Sequence, residues 1–255
     1  MTDVFSDKLQ AWRDYTGSPW GRIRYAVVAE TLRRQCAQIG AGEPLRILDV
    51  GGGDARDSLP LARAGHDVTV VDPSRSWLDE AARRAEEAGV PLATIVGGLD
   101  DLPDGEWDLV LCHFVLQYRP VDPTDIAALA RRVRPGGRLS LMTPNPDGRV
   151  LRELVLDGPA AAHAELGRDT VDVVTFGTTV RKVRLEDAVA DVEGAGLEVV
   201  AIYGNRVAND LIADNAAKGE PGFFADLLAL ELAMCDREPF NRVGFAWQVV
   251  AARPA

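Results

Sequence analysis

"ILDVGGGDARDSL", residues 47–59, runs from apolar residues into an acid, three consecutive glycines and a charged segment. The apolar part reads as a buried strand, the glycines as a tight turn, and "ARDSLPLARAG" (55–65) as a helix stopped by Gly65. At a strand-to-helix turn the first backbone N–H groups lack partners and the helix dipole points outward, so a ligand can dock there. Glycine lets the main chain approach that ligand closely. The fold and the function both follow from what the turn holds.

Outward from it the chain alternates. "HDVTVVD" (66–72), "PLATIVG" (91–97), "WDLVLCHFVL" (107–116) and "GGRLSLMT" (136–143) read as strands. "SRSWLDEAARRAEEAG" (74–89), with Ser74 or Ser76 as its cap, and "PTDIAALARRVR" (123–134) read as helices. Before the first strand, Ile23, Val27, Val28 and Leu32 recur at helical spacing between Trp20 and Ile39. Residues 144–184 have no sustained period. A helix at 185–196, a strand at 197–204, a helix at 222–235 and a strand at 245–252 follow. Strands alternating with amphipathic helices mean a parallel sheet covered on both faces. The expected fold is α/β, Rossmann-like and doubly wound, with a mostly parallel seven-stranded sheet closed by an antiparallel last strand. One domain is expected over 1–255. It would comprise an N-terminal helical lid (1–42), a ligand-binding core (43–143), an insertion (144–184) and a part completing the sheet (185–255).

The net charge of −11 argues against broad binding to nucleic acid or an anionic membrane, while leaving room for a local basic patch. Cys36, Cys112 and Cys235 are widely spaced and read as reduced, buried thiols rather than disulfides or a zinc site. The charged start lacks the apolar stretch of a secretion signal, and no run is long enough to span a bilayer, so a cytoplasmic location is expected.

Two nucleotide motifs fail at the turn. Counted from Gly51, the third glycine of G-x-G-x-x-G falls on Arg56; counted from Gly52, the second falls on Asp54. That disfavours an NAD-dependent oxidoreductase, and no phosphate-loop pattern is present. What remains resembles motif I of the class I S-adenosylmethionine-dependent methyltransferases, acidic-x-Gly-x-Gly-x-Gly, with Asp49, Gly51 and Gly53 in place and Ala55 at the last position. The resemblance implies S-adenosylmethionine as cofactor and S-adenosylhomocysteine as product. Asp72 would take the ribose hydroxyls or, in a plainer reading, cap the next helix. Asp100 or Asp101 would meet the adenine. Residues 107–118 and 132–141 match the later motifs, so the likeness covers about residues 45–142.

"YTGSPWGRIR" (15–24), "LCHFVLQY" (111–118), "GNRVANDLIADN" (204–215) and "LLALELAMCDREPF" (227–240) are similar to the bacterial tRNA 5-carboxymethoxyuridine methyltransferases over nearly the whole chain. That likeness implies that Arg24 reaches the methionine carboxylate, a bidentate task for guanidinium. It also implies that Gly51, Gly52, Asp72, Leu99, Asp100 and His113 line the cofactor. The acceptor would be a carboxylate oxygen on a wobble uridine. One departure bears on that acceptor. The lysine- and arginine-rich run of the family is here "ELGRDTVDVVTFGTTVRKVRLED" (165–187), whose only cationic cluster is Arg181, Lys182 and Arg184. Phosphate contacts supply most of an RNA binder's affinity. The acceptor is therefore tRNA or, alternatively, a small molecule; a third reading is a non-catalytic S-adenosylmethionine-binding protein.

Methyl transfer is a matter of holding an acceptor in line, with a base needed only if the acceptor carries a proton. Of three histidines, His66 and His163 read as loop or surface residues. His113, at the end of the fourth strand, reads as a pocket wall first and a candidate base second. Arg181, Lys182 or Arg184 would hold an anionic acceptor or else stay solvated. Phe5, Tyr15 and Trp20 read equally as a lid or as packing. No spacing suggests a metal site.

Overall fold

The computed structural model describes residues 9–40, 42–173 and 177–255. Strand β1 (Arg46–Val50) pairs in parallel with β2 (Asp67–Asp72) on one side and β4 (Trp107–His113) on the other. Beyond them lie β3 (Ala93–Val96) and β5 (Val133–Pro144), both parallel. The order reverses between β1 and β4, and ligands of open α/β sheets bind at the carboxyl ends of strands at such a switch. The closing strands are β8 (Glu198–Asn205) and β9 (Ala246–Ala252), giving the order β3-β2-β1-β4-β5-β9-β8. The last strand is antiparallel, as its sequence suggests, but it is not the edge. It runs between β5 and β8, antiparallel to both.

Helices cover both faces. Helix α2 (Pro19–Ile39), α3 (Leu59–Arg63) and α4 (Arg75–Ala88) bury Val28, Leu32, Leu61, Leu78 and Ala81 against Ile47, Val70, Leu109 and Leu111. Helix α5 (Pro123–Arg132) and α8 (Leu185–Gly194) bury Leu129 and Val192 against Leu48, Val71, Val110, Leu141 and Trp247. Neighbouring strand residues such as Ile47 and Leu48 thus serve opposite cores, which is why the strands read as continuous apolar runs. Helix α9 (Pro221–Met234) adds Leu227 to a third cluster with Ile23, Val27 and Tyr203. Helix starts follow local chemistry. Ser18, Asp122 and Asn145 each accept a backbone N–H of the first turn, with proline following.

Two stretches depart from their sequence reading. The helix after the glycine turn spans only residues 59–63, because residues 51–58 form an extended turn in which Ala55 adopts a left-handed φ of 60°. Residues 144–184 are ordered where no period was visible. They form α6 (Pro146–Asp157), α7 (Pro159–Leu166) and an antiparallel pair, β6 (Thr170–Val173) with β7 (Thr178–Arg181). Helix α7 is short and alanine-rich, so it carries no apolar stripe, and the two-stranded pair is half-exposed. Helix α1 (Leu9–Gly17) precedes Ser18.

Candidate active site

The glycine turn lies over the carboxyl end of β1. Gly51 and Gly53 have φ of 68° and 53°. A Cβ on Gly51 would meet Val115 Cγ2 at 2.3 Å, and one on Gly52 would meet the Asp49 carboxylate at 2.5 Å. Close approach, and not only backbone freedom, demands glycine here. Asp49 itself is buried, and its Oδ2 has no hydrogen-bond partner among the described residues. Burial, with the neighbouring carboxylates of Asp57 and Asp72, pushes its carboxyl up to about 7. The Ser58 hydroxyl and Arg24 offset only part of this rise, and a buried carboxylate with Oδ2 open in this way suits a cationic ligand group.

Asp72 ends β2 and accepts Gly53 N–H at 3.0 Å and Ser74 N–H at 2.8 Å, which fixes its carboxylate beside the turn. Arg24, buried on α2, pairs bidentately with Asp57 and lies over the rings of Tyr25 (4.2 Å) and Phe114 (5.0 Å). Asp57 also accepts His113 Nδ1 at 2.8 Å. Burial alone would raise the Asp57 carboxyl, but Arg24 and His113 outweigh it and hold it well below the usual carboxylate range.

The other ring nitrogen of His113 meets Ser140 Oγ at 2.9 Å, and Ser140 accepts from Gln248 Nε2 at 2.9 Å. Gln248 in turn accepts from Thr31 Oγ1 at 2.8 Å. An ionised carboxylate only accepts, so Nδ1 carries a proton toward Asp57, while Nε2 is engaged by the Ser140 hydroxyl. Both nitrogens are therefore occupied within the fold. The ring has no lone pair to offer an acceptor, which weighs against His113 as a base.

These residues open onto a cavity of about 650 Å³ at the switch point. Of the residues singled out in the sequence, the structure gathers Arg24, Asp49, Gly51, Gly52, Gly53, Asp72, Leu99 and His113 around it. Asp100 is outside. Its carboxylate is exposed and salt-bridged to Arg119 at 2.9 Å, and Asp101 does not line the cavity either. Tyr15 and Trp20 line the cavity together with two residues the sequence reading missed, Trp12 and Trp77. Trp12 stacks on Tyr15 (5.5 Å) and meets Trp77 edge-on (5.6 Å). Phe5 lies outside the described residues.

The remaining wall comes from residues 144–182 and from Arg206, and it is cationic. Arg149, Arg152, Arg181, Lys182 and Arg206 line it against a single acid, Asp172, and Arg119 lines the cavity beside them. Most are tied down. Lys182 Nζ and Arg149 Nε hold Glu165 at 2.9 and 2.8 Å. Arg206 holds Asp210 at 2.6 Å while lying 4.0 Å over Phe245. Arg181 differs: its Nε donates to the Arg119 carbonyl at 2.8 Å, and no carboxylate pairs with it among the described residues. Arg184 is exposed and does not line the cavity. His66 accepts Leu45 N–H at 3.1 Å, and His163 is exposed on α7; neither lines the cavity. Asp57, Arg152 and Arg206 have no signal in the sequence beyond their charge.

Fold, glycine turn and cavity define a class. Residues 47–137 match the family model of the methyltransferase domain, and the chain is an S-adenosylmethionine-dependent methyltransferase of class I architecture. Among curated proteins it is similar to the tRNA 5-carboxymethoxyuridine methyltransferase of Escherichia coli, 28% identical over 95% of this chain and 92% of that one. Among solved structures it resembles magnesium protoporphyrin IX methyltransferase of Synechocystis PCC 6803 with bound S-adenosylhomocysteine (TM-score 0.65, 19% identity, covering 96% and 94% of the two chains). A SAM-dependent methyltransferase of Thermotoga maritima matches with a TM-score of 0.64 at 14% identity, covering 99% of this chain and all of that one. At those identities the structural likeness speaks to fold alone. No helix among the described residues is long and apolar enough to cross a membrane.

Proposed function

We propose that the enzyme methylates a carboxylate oxygen, and that the carboxylate belongs to a modified wobble uridine of tRNA. The observation that carries this reading is Arg181, a cavity-lining guanidinium with no carboxylate partner among the described residues, in a wall of cations. Such a group is suited to receive an anionic acceptor. The uridine itself is suggested by the similarity, along nearly the full chain, to the Escherichia coli tRNA enzyme.

The cavity residues fit the cofactor. Asp49 Oδ2, unpartnered among the described residues, suits an ammonium group, and Arg24 suits a carboxylate. Asp72 suits a ribose diol, and Leu99 an apolar contact with a base. Bound S-adenosylmethionine supplies a methyl group on a good leaving group. The chain's own task is then to orient the acceptor and exclude water, with Trp12, Tyr15 and Trp77 forming an aromatic wall. An ionised carboxylate attacks without giving up a proton, so no general base is required. That agrees with a His113 whose nitrogens are both engaged.

A second reading, a small anionic metabolite as acceptor, is favoured by where the cations lie. They are inside the cavity of a chain whose net charge is −11. The deciding experiment offers labelled S-adenosylmethionine with tRNA carrying 5-carboxymethoxyuridine and, separately, with a small-molecule extract. Label in tRNA that mild alkali releases as methanol supports the ester on RNA. Label confined to small molecules replaces it with the second reading, and tight cofactor binding without turnover on either pool would mean a non-catalytic binder.

A further inference from the structure

Beside the glycine turn lies a second depression, of about 370 Å³, that methyl transfer does not use. Five arginines converge on it: Arg13 from α1, Arg56 from the turn, Arg63 from α3, and Arg83 and Arg84 from α4. They face only Glu80 and Glu87 in its wall, with Asp54 shared between Arg56 (2.7 Å) and Arg84 (2.9 Å). Arg63 is exposed and has no hydrogen-bond or carboxylate partner among the described residues. Five positive charges against three negative ones make a local cationic excess on a chain of net charge −11. Burial and repulsion from Arg56 lower the hold of Arg84 on its proton despite Asp54, as expected where cations outnumber their partners.

We propose that this depression is a phosphate site that takes a backbone phosphodiester of the RNA acceptor, near the nucleotide whose base enters the cavity. The inference rests on the tRNA reading above. Guanidinium forks match the paired oxygens of a phosphodiester, and such contacts position RNA without reading its sequence. Arg56 lines both the depression and the cavity, so the two are contiguous. The surface also resolves a conflict in composition. An acidic protein does not need a basic run to bind RNA if its arginines are gathered at one place from segments distant in sequence.

The test is the binding of a fluorescent anticodon stem–loop RNA, followed by anisotropy at several salt concentrations. It compares the wild-type enzyme with the double variants Arg63→Glu/Arg83→Glu and Arg63→Lys/Arg83→Lys. Both side chains are exposed and neither lines the cofactor cavity, and Arg83, which pairs with Glu80 and Glu87, keeps its charge in the Lys variant. The Glu variant should bind on the order of tenfold more weakly, with a slope of log Kd on log salt smaller by roughly 1.4, about 0.7 per lost contact to single-stranded RNA. S-adenosylhomocysteine affinity, and kcat at saturating tRNA, should not change, and the Lys variant should keep most of the RNA affinity. An unchanged RNA Kd and salt slope in the Glu variant would overturn the proposal while leaving tRNA methylation standing. Arginine-dependent RNA binding by an enzyme that methylates no RNA would remove the acceptor reading and keep the phosphate site. Binding of inorganic phosphate by a wild type that binds no RNA would assign the depression to free phosphate and overturn its link to the acceptor.

Discussion

The guanidinium of Arg24 lies bidentate on the carboxylate of Asp57, with side chains only 6% and 9% exposed. A residue in α2 and one in the turn after β1, 33 positions apart, thus neutralise each other at the wall of the cofactor cavity. Neither charge is tolerable there alone. Asp57→Asn should therefore cost roughly 3 kcal/mol, leaving a buried cation without its anion. Added S-adenosylhomocysteine should raise the melting temperature more in the variant than in the wild type, because a ligand carboxylate supplies the missing charge. An equal ligand-induced shift in both proteins would mean that Arg24 does not meet that carboxylate.

The same pair sets an acid limit. The folded Asp57 carboxyl is held below its unfolded value, so its contribution is present above the unfolded value of about 4 and is lost as pH falls through the folded one. Asp57→Asn should remove that part of the acid dependence. Urea unfolding at a series of acidic pH values would show the stability gap between wild type and variant closing as pH falls.

Asp49 runs the other way. Its carboxyl is raised to about 7, so below that pH it is mostly protonated and cannot neutralise a ligand ammonium group. Cofactor affinity should rise with pH up to about 7 and then level off, being weaker by about tenfold at one unit below. Asp49→Asn should abolish this dependence. Isothermal titration with S-adenosylhomocysteine across pH 5–8 would check it, and a flat wild-type profile would exclude Asp49 from pairing with the cofactor.

Around the turn, steric contact ranks the substitutions. Gly52→Ala drives a Cβ into the Asp49 carboxylate at 2.5 Å and Val70 Cγ1 at 2.8 Å, so S-adenosylhomocysteine binding should fall by at least tenfold. Ala55→Gly relieves a left-handed alanine worth about 1 kcal/mol and loses a buried methyl group worth about as much. It should leave both stability and binding close to wild type. A thermal shift assay with and without ligand separates the two outcomes.

Arg181→Ala should raise the acceptor KM by on the order of tenfold or more with little change in cofactor affinity, since it removes a cavity cation that has no carboxylate partner among the described residues. His113→Asn should lower kcat through disorder of Asp57 and Arg24 but leave the shape of the kcat/KM pH profile unchanged. Loss of the acidic limb in that profile, where activity rises with pH as a base loses its proton, would restore His113 as a base.

The parts legible in sequence were those encoded locally. Strands β1 to β5 announce themselves as apolar runs because both sheet faces are covered. The glycines at 51–53 declare a turn whose backbone comes close to whatever it touches. Asp49 and Asp72 are marked by their place at strand ends, which the parallel register carries to one rim of the sheet. The insertion was opaque because short, alanine-rich or half-exposed elements have no period to read.

Tertiary structure decided the rest, since charge pairing between distant segments leaves no local trace. It turned Asp100 outward to Arg119 and buried Asp57 between Arg24 and His113. It assembled a cationic wall from Arg149, Arg152, Arg181, Lys182 and Arg206, and an arginine depression from α1, α3 and α4. Sequence by itself determined that this chain forms the sheet and the turn of a methyltransferase. Which charges face the acceptor was settled only when the fold brought those segments together, because an electrostatic field depends on distance in space and not along the chain.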